Sequence, residues 1–245
     1  MKTIKLSVIL FLFSVSVSST FAQNADEIIS KYITTIGGAE KLRALKGVKM
    51  EMSVNAQGME IPVEVVQLLG GKMYVKINLM GKDMTQMASD GNVIWMTNGM
   101  TMKAEKADAE TTENAKLSSK DFPDPFLDYK EKGYAVEYIG KETKEGTECF
   151  KVKLTKKPVT VDGVKQDDIV YYFFDTENNL PIASETEISQ GPMKGQKSTS
   201  TRSDFQEVDG IFFPFSMNEG GQDLKVKKIS INPVVDDKAF AFPTE

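Results

Sequence analysis

Ten of the thirteen methionines fall between Met50 and Met102, and the chain has no histidine and one cysteine, Cys149. Thioethers can serve in two ways. They are soft ligands that suit copper(I), and they are unbranched, polarizable groups that mould to an apolar partner of variable shape. Met84 and Met87 are three apart, and Met96, Met100 and Met102 surround Asn98-Gly99. The usual co-ligands, histidine or a second cysteine, are missing, so a copper(I) site is the alternative and an apolar binding surface the leading reading. Lack of histidine also removes the usual base of a serine or cysteine triad. Cys149, between Glu148 and Phe150 in a strand pattern, reads as a structural thiol. Asp167-Asp168 and Asp236-Asp237 are adjacent pairs whose side chains point apart in an extended chain, and they read as strand-end or solvent-facing acids. These residues point to binding without catalysis; neither cofactor nor metal is expected.

The N-terminus reads as an export signal. Lys2 and Lys5 precede an apolar run from Leu6 to Val17, and Ser18-Ser19-Thr20-Phe21-Ala22 supplies a small-residue exit. The run is short for a membrane span of about 20 residues. Cleavage near Ala22 leaves a 23–245 domain, and loss of the two lysines moves the net charge from −5 to −7. No cysteine lies near the cut, so no lipid anchor is expected and the location is periplasmic. The acidic balance disfavours nucleic acid and anionic membranes as partners.

The mature part must position the methionines. Ile28, Ile29, Tyr32, Ile33 and Ile36 form one apolar stripe of a helix starting near Ala25, which Gly37-Gly38 interrupts before a second short helix over Ala39 to Leu45. From Val48 the period becomes two. Val48, Met50, Met52, Val54 and Ala56 alternate with polar residues, and turn signals at Gly58, Gly70-Gly71 and Asp90-Gly91 divide a meander of five strands. Residues 104–121 are charged and alanine-rich, an exposed loop or a marginal helix. Phe126 to Lys132 could form a short helix docking Phe122 and Phe126. Strands resume at Tyr134 and continue to Ile231, including Ile169-Val170-Tyr171-Tyr172-Phe173-Phe174, which is apolar on both faces. The expected fold is mainly β (α+β): a strongly curved antiparallel sheet of about eleven strands forming an unclosed barrel, with helices lodged on its concave side.

Four segments carry a family resemblance. They are Ile28-Ile29-Ser30-Lys31-Tyr32 through Gly37-Gly38-Ala39-Glu40-Lys41-Leu42, and Tyr172-Phe173-Phe174-Asp175 leading to Asn179-Leu180-Pro181-Ile182. The others are Asp204-Phe205 with Val208-Asp209-Gly210-Ile211 and Phe213-Pro214, and the closing Phe240-Ala241-Phe242-Pro243. In this order they resemble the LolA-like outer-membrane lipoprotein-sorting proteins of the bacterial periplasm. The resemblance implies an unclosed barrel with a helical lid, whose cavity binds the acyl chains of lipoproteins. It also implies an inner-membrane donor and an outer-membrane acceptor as partners. Better-known members hold the lid closed with an arginine; the arginines here are Arg43, in the second helix, and Arg202, on a polar strand.

The resulting expectation is a monomeric carrier of lipoprotein acyl chains or other lipids. Met50, Met52, Val54, Met73, Val75, Met84, Trp95 and Met96 are expected to line its apolar cavity, with Met100 and Met102 near the rim. An aspartate at Met52 is expected to weaken binding while the fold survives. A non-catalytic interaction protein of the cell envelope is the plainer alternative.

Overall fold

A computed structural model of the chain describes residues 17–243 except Gln57. Most of the expected signal segment, residues 1–16, lies outside the described residues. The helix expected from Ala25 begins earlier, as α1 (Val17–Thr35), and α2 (Ala39–Ala44) follows it. The first strands are β1 (Gly47–Ala56), β2 (Met59–Leu68), β3 (Lys72–Leu79), β4 (Lys82–Asp90), β5 (Ile94–Thr97) and β6 (Ala104–Lys106). After α3 (Ala109–Ser118) come β7 (Ala135–Lys144), β8 (Thr147–Thr155), β9 (Val159–Val161), β10 (Val164–Gln166) and β11 (Ile169–Asp175). The chain ends with β12 (Pro181–Glu187), β13 (Lys197–Val208), β14 (Ile211–Glu219) and β15 (Gln222–Ile231). Among the described residues no helix is long and apolar enough to cross a membrane.

Thirteen strands form one antiparallel sheet in the order β6, β5, β4, β3, β2, β1, β15, β14, β13, β12, β11, β8, β7, and β9 pairs only with β10. The sheet curves but does not close, as expected for so many strands in one antiparallel order. The fifteen strands among the described residues exceed the expected number of about eleven mainly because β6, β9 and β10 are three residues each. A strand that short has no room to display a period of two.

The concave face holds the principal core. All five residues of the α1 stripe are buried there, against Val48 and Met52 of β1, Val152 and Leu154 of β8, Phe174, Ile211, Val226 and Ile229. Burying such side chains stabilises by roughly 1.5–3 kcal/mol each, which is what holds α1 in the sheet. Residues 122–133 pack into the same core through Phe122, Phe126, Leu127 and Tyr129, but as turns and not as the expected helix. Asp128 takes a left-handed conformation (φ 53°), which a helix cannot continue through.

Gly37 ends α1 at φ 126°, and a Cβ there would lie 2.5 Å from the carbonyl oxygen of Gly210. Phe212 N–H donates to the Ile36 carbonyl at 3.0 Å, so the corner between α1 and α2 seats directly on the β13–β14 turn. Gly37→Ala is expected to destabilise by about 2–3 kcal/mol through strain and overpacking, read as a lowered denaturant midpoint.

The convex face carries two smaller cores. Val66, Tyr74, Ala88 and Trp95 are covered by Phe240 of the C-terminal segment. Cys149 is buried with Phe173 and Ala183, and burial pushes its thiol up.

Candidate functional site

Strand register defines a continuous apolar ladder along the concave wall. Met217 pairs with Leu224, Leu224 with Val54, and Val54 with Ile61. Beside this row, Met52 pairs with Val63, Val63 with Ile77, and Ile77 with Met84. Directly paired residues share a face. Two bulges preserve the ladder. Lys227 is the extra residue of β15, which keeps Val226 and Ile229 both inward, and Gln86 is the extra residue of β4, which turns Met84 and Met87 to the same side.

Helix α1 covers only part of this wall. Val54, Ile61, Val75, Ile77, Met84 and Met87 are half-buried and belong to none of the three cores. They form an uncovered apolar floor.

The expected cavity residues divide accordingly. Met50, Met52, Val54, Met73, Val75, Met84 and Met96 face the concave side, with Met52 buried under the principal core and Met96 exposed. Trp95 does not. It pairs with Ala88, which pairs with Tyr74, on the convex face, and its Nε1–H donates to the Phe240 carbonyl at 3.2 Å. Adjacent residues of a strand point to opposite faces, so Trp95 and Met96 cannot line one cavity. The expected set omits Ile61, Ile77, Met217 and Leu224, which the register places on the same wall; the apolar alternation of β2, β3 and β14 is the signal that could have found the first three.

Because the strands alternate in direction, the β1–β2, β3–β4, β5–β6 and β12–β13 connections all lie at one end of the sheet. Met59, at the start of β2, and Met80, Met100 with Met102, and Met193, in the connections, lie at that end, each exposed. Met80 is fully so, at 100%. Met80 and Met102 also hold positive φ, 52° and 55°, where glycine, asparagine or aspartate is the ordinary occupant. The expected rim methionines therefore extend around one end of the sheet, next to the uncovered floor.

Three polar contacts tie the α1–α2 unit to the 122–133 turns. Tyr32 donates to Asp124 Oδ2 at 2.5 Å, Arg43 grips Asp128 through Nε at 2.9 Å and Nη2 at 2.5 Å, and Tyr129 and Lys130 both reach Asp26. Burial raises the Asp124 carboxyl above its ordinary value and lifts the Tyr32 hydroxyl far higher.

Helix α3 contacts β5 near one open edge and β9 on the other side. Asp108 caps it by accepting from Thr111 N–H at 2.7 Å. None of its residues is buried. Its attachment to the β9–β10 hairpin is polar: Glu110 accepts from the N–H groups of Asp162 and Gly163, each at 2.9 Å, and Asn114 exchanges two hydrogen bonds with the Thr160 backbone. The charged segment 104–121 is thus a short strand, β6, followed by a helix that reaches from β5 to the β9–β10 hairpin, held without a core of its own.

No family model and no curated protein matches the chain. Solved structures do. A LolA superfamily protein from Nitrosomonas europaea superposes with a TM-score of 0.51 at 15% identity, over 89% of this chain and 97% of that one. A domain described as an outer membrane lipoprotein-sorting protein from Vibrio parahaemolyticus gives 0.48 at 13% identity, again over 89% and 97%. A DUF1329 family protein from Desulfovibrio piger gives 0.47 at 12%, with the same coverage. The first of these, at a TM-score above 0.5, shows that the chain shares the fold of that LolA superfamily protein, the fold that its turn and strand motifs resemble.

Proposed function

We propose that this protein is a non-catalytic periplasmic carrier that holds acyl chains against the concave wall for transfer toward the outer membrane. The observation that supports the reading is the uncovered apolar floor of Val54, Ile61, Ile77 and Met84, bordered by exposed methionines. The LolA superfamily fold makes lipoprotein acyl chains the first cargo to test, with other lipids next.

The energetics suit a carrier that must release. Full burial of a 16-carbon chain would contribute on the order of 10 kcal/mol at about 0.8 kcal/mol per methylene. A half-covered floor captures only part of that. Opening α3 breaks a few exposed or part-buried hydrogen bonds, each worth about 0.5–1.5 kcal/mol net, and pulls no residue of the helix itself out of a core. Methionines add contact without fixed complementarity, as in other adaptable binding surfaces.

Protein prepared from its native compartment is expected to carry co-eluting acyl chains in native mass spectra and to bind a fluorescent fatty acid after delipidation. Clean spectra together with no binding would refute the carrier. A copper(I) reading keeps one observation, that Met87 faces Met96 across β4 and β5. Tight one-to-one copper(I) uptake abolished by Met96→Leu would favour it.

A further inference from the structure

Beneath the α1–α2 unit lies a cavity of about 210 Å³, to which Tyr32, Ile36, Phe126, Tyr172, Arg202 and Phe213 contribute. At about 30 Å³ per water it has the volume of roughly seven waters. That is room for a polar head and the first carbons of a chain. The lining is mostly apolar, which makes its one guanidinium conspicuous.

Arg202 lies on the concave side of β13, opposite Met217 of β14. A guanidinium offers five N–H donors. Here Nη1 donates to Ser184 Oγ at 3.1 Å, and Nη2 lies 3.6 Å from Glu219 Oε1, a distance too long for a good hydrogen bond. Most of the fork is therefore unspent.

Tyr172 stands beside it. It pairs with Ser184 across β11 and β12, so Arg202 and Tyr172 flank the same serine. Its ring packs edge-on to Phe126 at 4.8 Å, yet its hydroxyl has no hydrogen-bond partner among the described residues. Tyr172 is half-buried and lines the cavity, so this hydroxyl is accessible to a bound group. The one carboxylate among the lining residues, Asp124, is already occupied: Oδ2 accepts from Tyr32 and Oδ1 from Phe126 N–H at 2.8 Å.

We propose that Arg202 and Tyr172 form a headgroup subsite for an anionic amphiphile, taking its carboxylate or phosphate while the chain lies along the concave wall. This rests on the carrier reading and narrows it, because a neutral acylated head would leave the guanidinium unmatched. Forked donors recognise carboxylate and phosphate oxygens, and charge-assisted bonds are about twice as strong as neutral ones.

The test compares dodecanoate, dodecyl phosphate and methyl dodecanoate as displacers of a fluorescent fatty acid at pH 8. The wild-type protein is expected to prefer at least one anion over the ester by about tenfold or more; which anion wins identifies the headgroup. Arg202→Met is expected to remove that preference while ester affinity stays within about twofold, and Tyr172→Phe to reduce it. Equal affinities in the wild type, or a preference that survives in folded Arg202→Met, overturn the subsite and leave the carrier standing. No displacement by any of the three overturns both. Should Arg202→Met not fold, the wild-type comparison and Tyr172→Phe decide.

Discussion

Phe240→Ala is expected to cost about 3–5 kcal/mol of stability, the range for removing a fully buried phenylalanine ring. Phe240 is 1% exposed, nine residues after the end of the last strand, and it closes the convex core over Val66, Tyr74, Ala88 and Trp95. Its ring lies 5.6 Å from that of Tyr74, and Phe242 meets Trp95 edge-on at 6.1 Å. Lys72 and Asp237 add an exposed ion pair at 2.8 Å, worth little by comparison. At this chain length the loss corresponds to about 10 °C in Tm. Trp95 is the single tryptophan, so its emission reports the strap directly. A red shift with the midpoint unchanged would show that the segment detaches alone and contributes nothing to the sheet.

The second large effect separates core from cavity. Met52 is 5% exposed beneath α1, and Met52→Asp is expected to destabilise by more than about 4 kcal/mol, because a carboxylate there is buried without a partner. It would abolish binding only by unfolding the protein, contrary to the sequence-based expectation that the fold survives. Met84→Asp places the same charge on the half-buried floor, where the cost is about 1 kcal/mol. It is expected to weaken fatty-acid binding at least tenfold with the circular dichroism spectrum intact. Undiminished binding by folded Met84→Asp would remove the floor from the site.

The alternation of β1 to β4 and the stripe of α1 made the wall and its cover legible in the sequence, since each element repeats long enough to show its period. Trp95 was misplaced because residue type, a large apolar ring, outweighed its position next to Met96. The convex cover could not be foreseen: Phe240 acts across more than a hundred residues, and no local pattern encodes which face a tail lies on. Helix α3 gave no amphipathic signal because its attachments are Glu110 and Asn114, polar groups bonded to a hairpin of two three-residue strands. Arg202 read as part of a polar strand. Only the inward turn of that strand, beside Ser184 and Tyr172, gives it a chemical role.

The pairing of β1 with β15 sets the order in which the molecule can form. These strands are neighbours at the middle of the sheet but are the first and the last strand in chain order, Val48 meeting Ile231 and Val54 meeting Leu224. The segment from β1 to β6 can zip through short hairpins as soon as it is available. It must then wait with β1 as an open, methionine-bearing edge until the last strand arrives. Such distant pairings slow folding and prolong the exposure of unpaired edges. A chain delivered N-terminus first would spend that interval vulnerable to aggregation, and the joining of its two halves would be the slow step of its maturation.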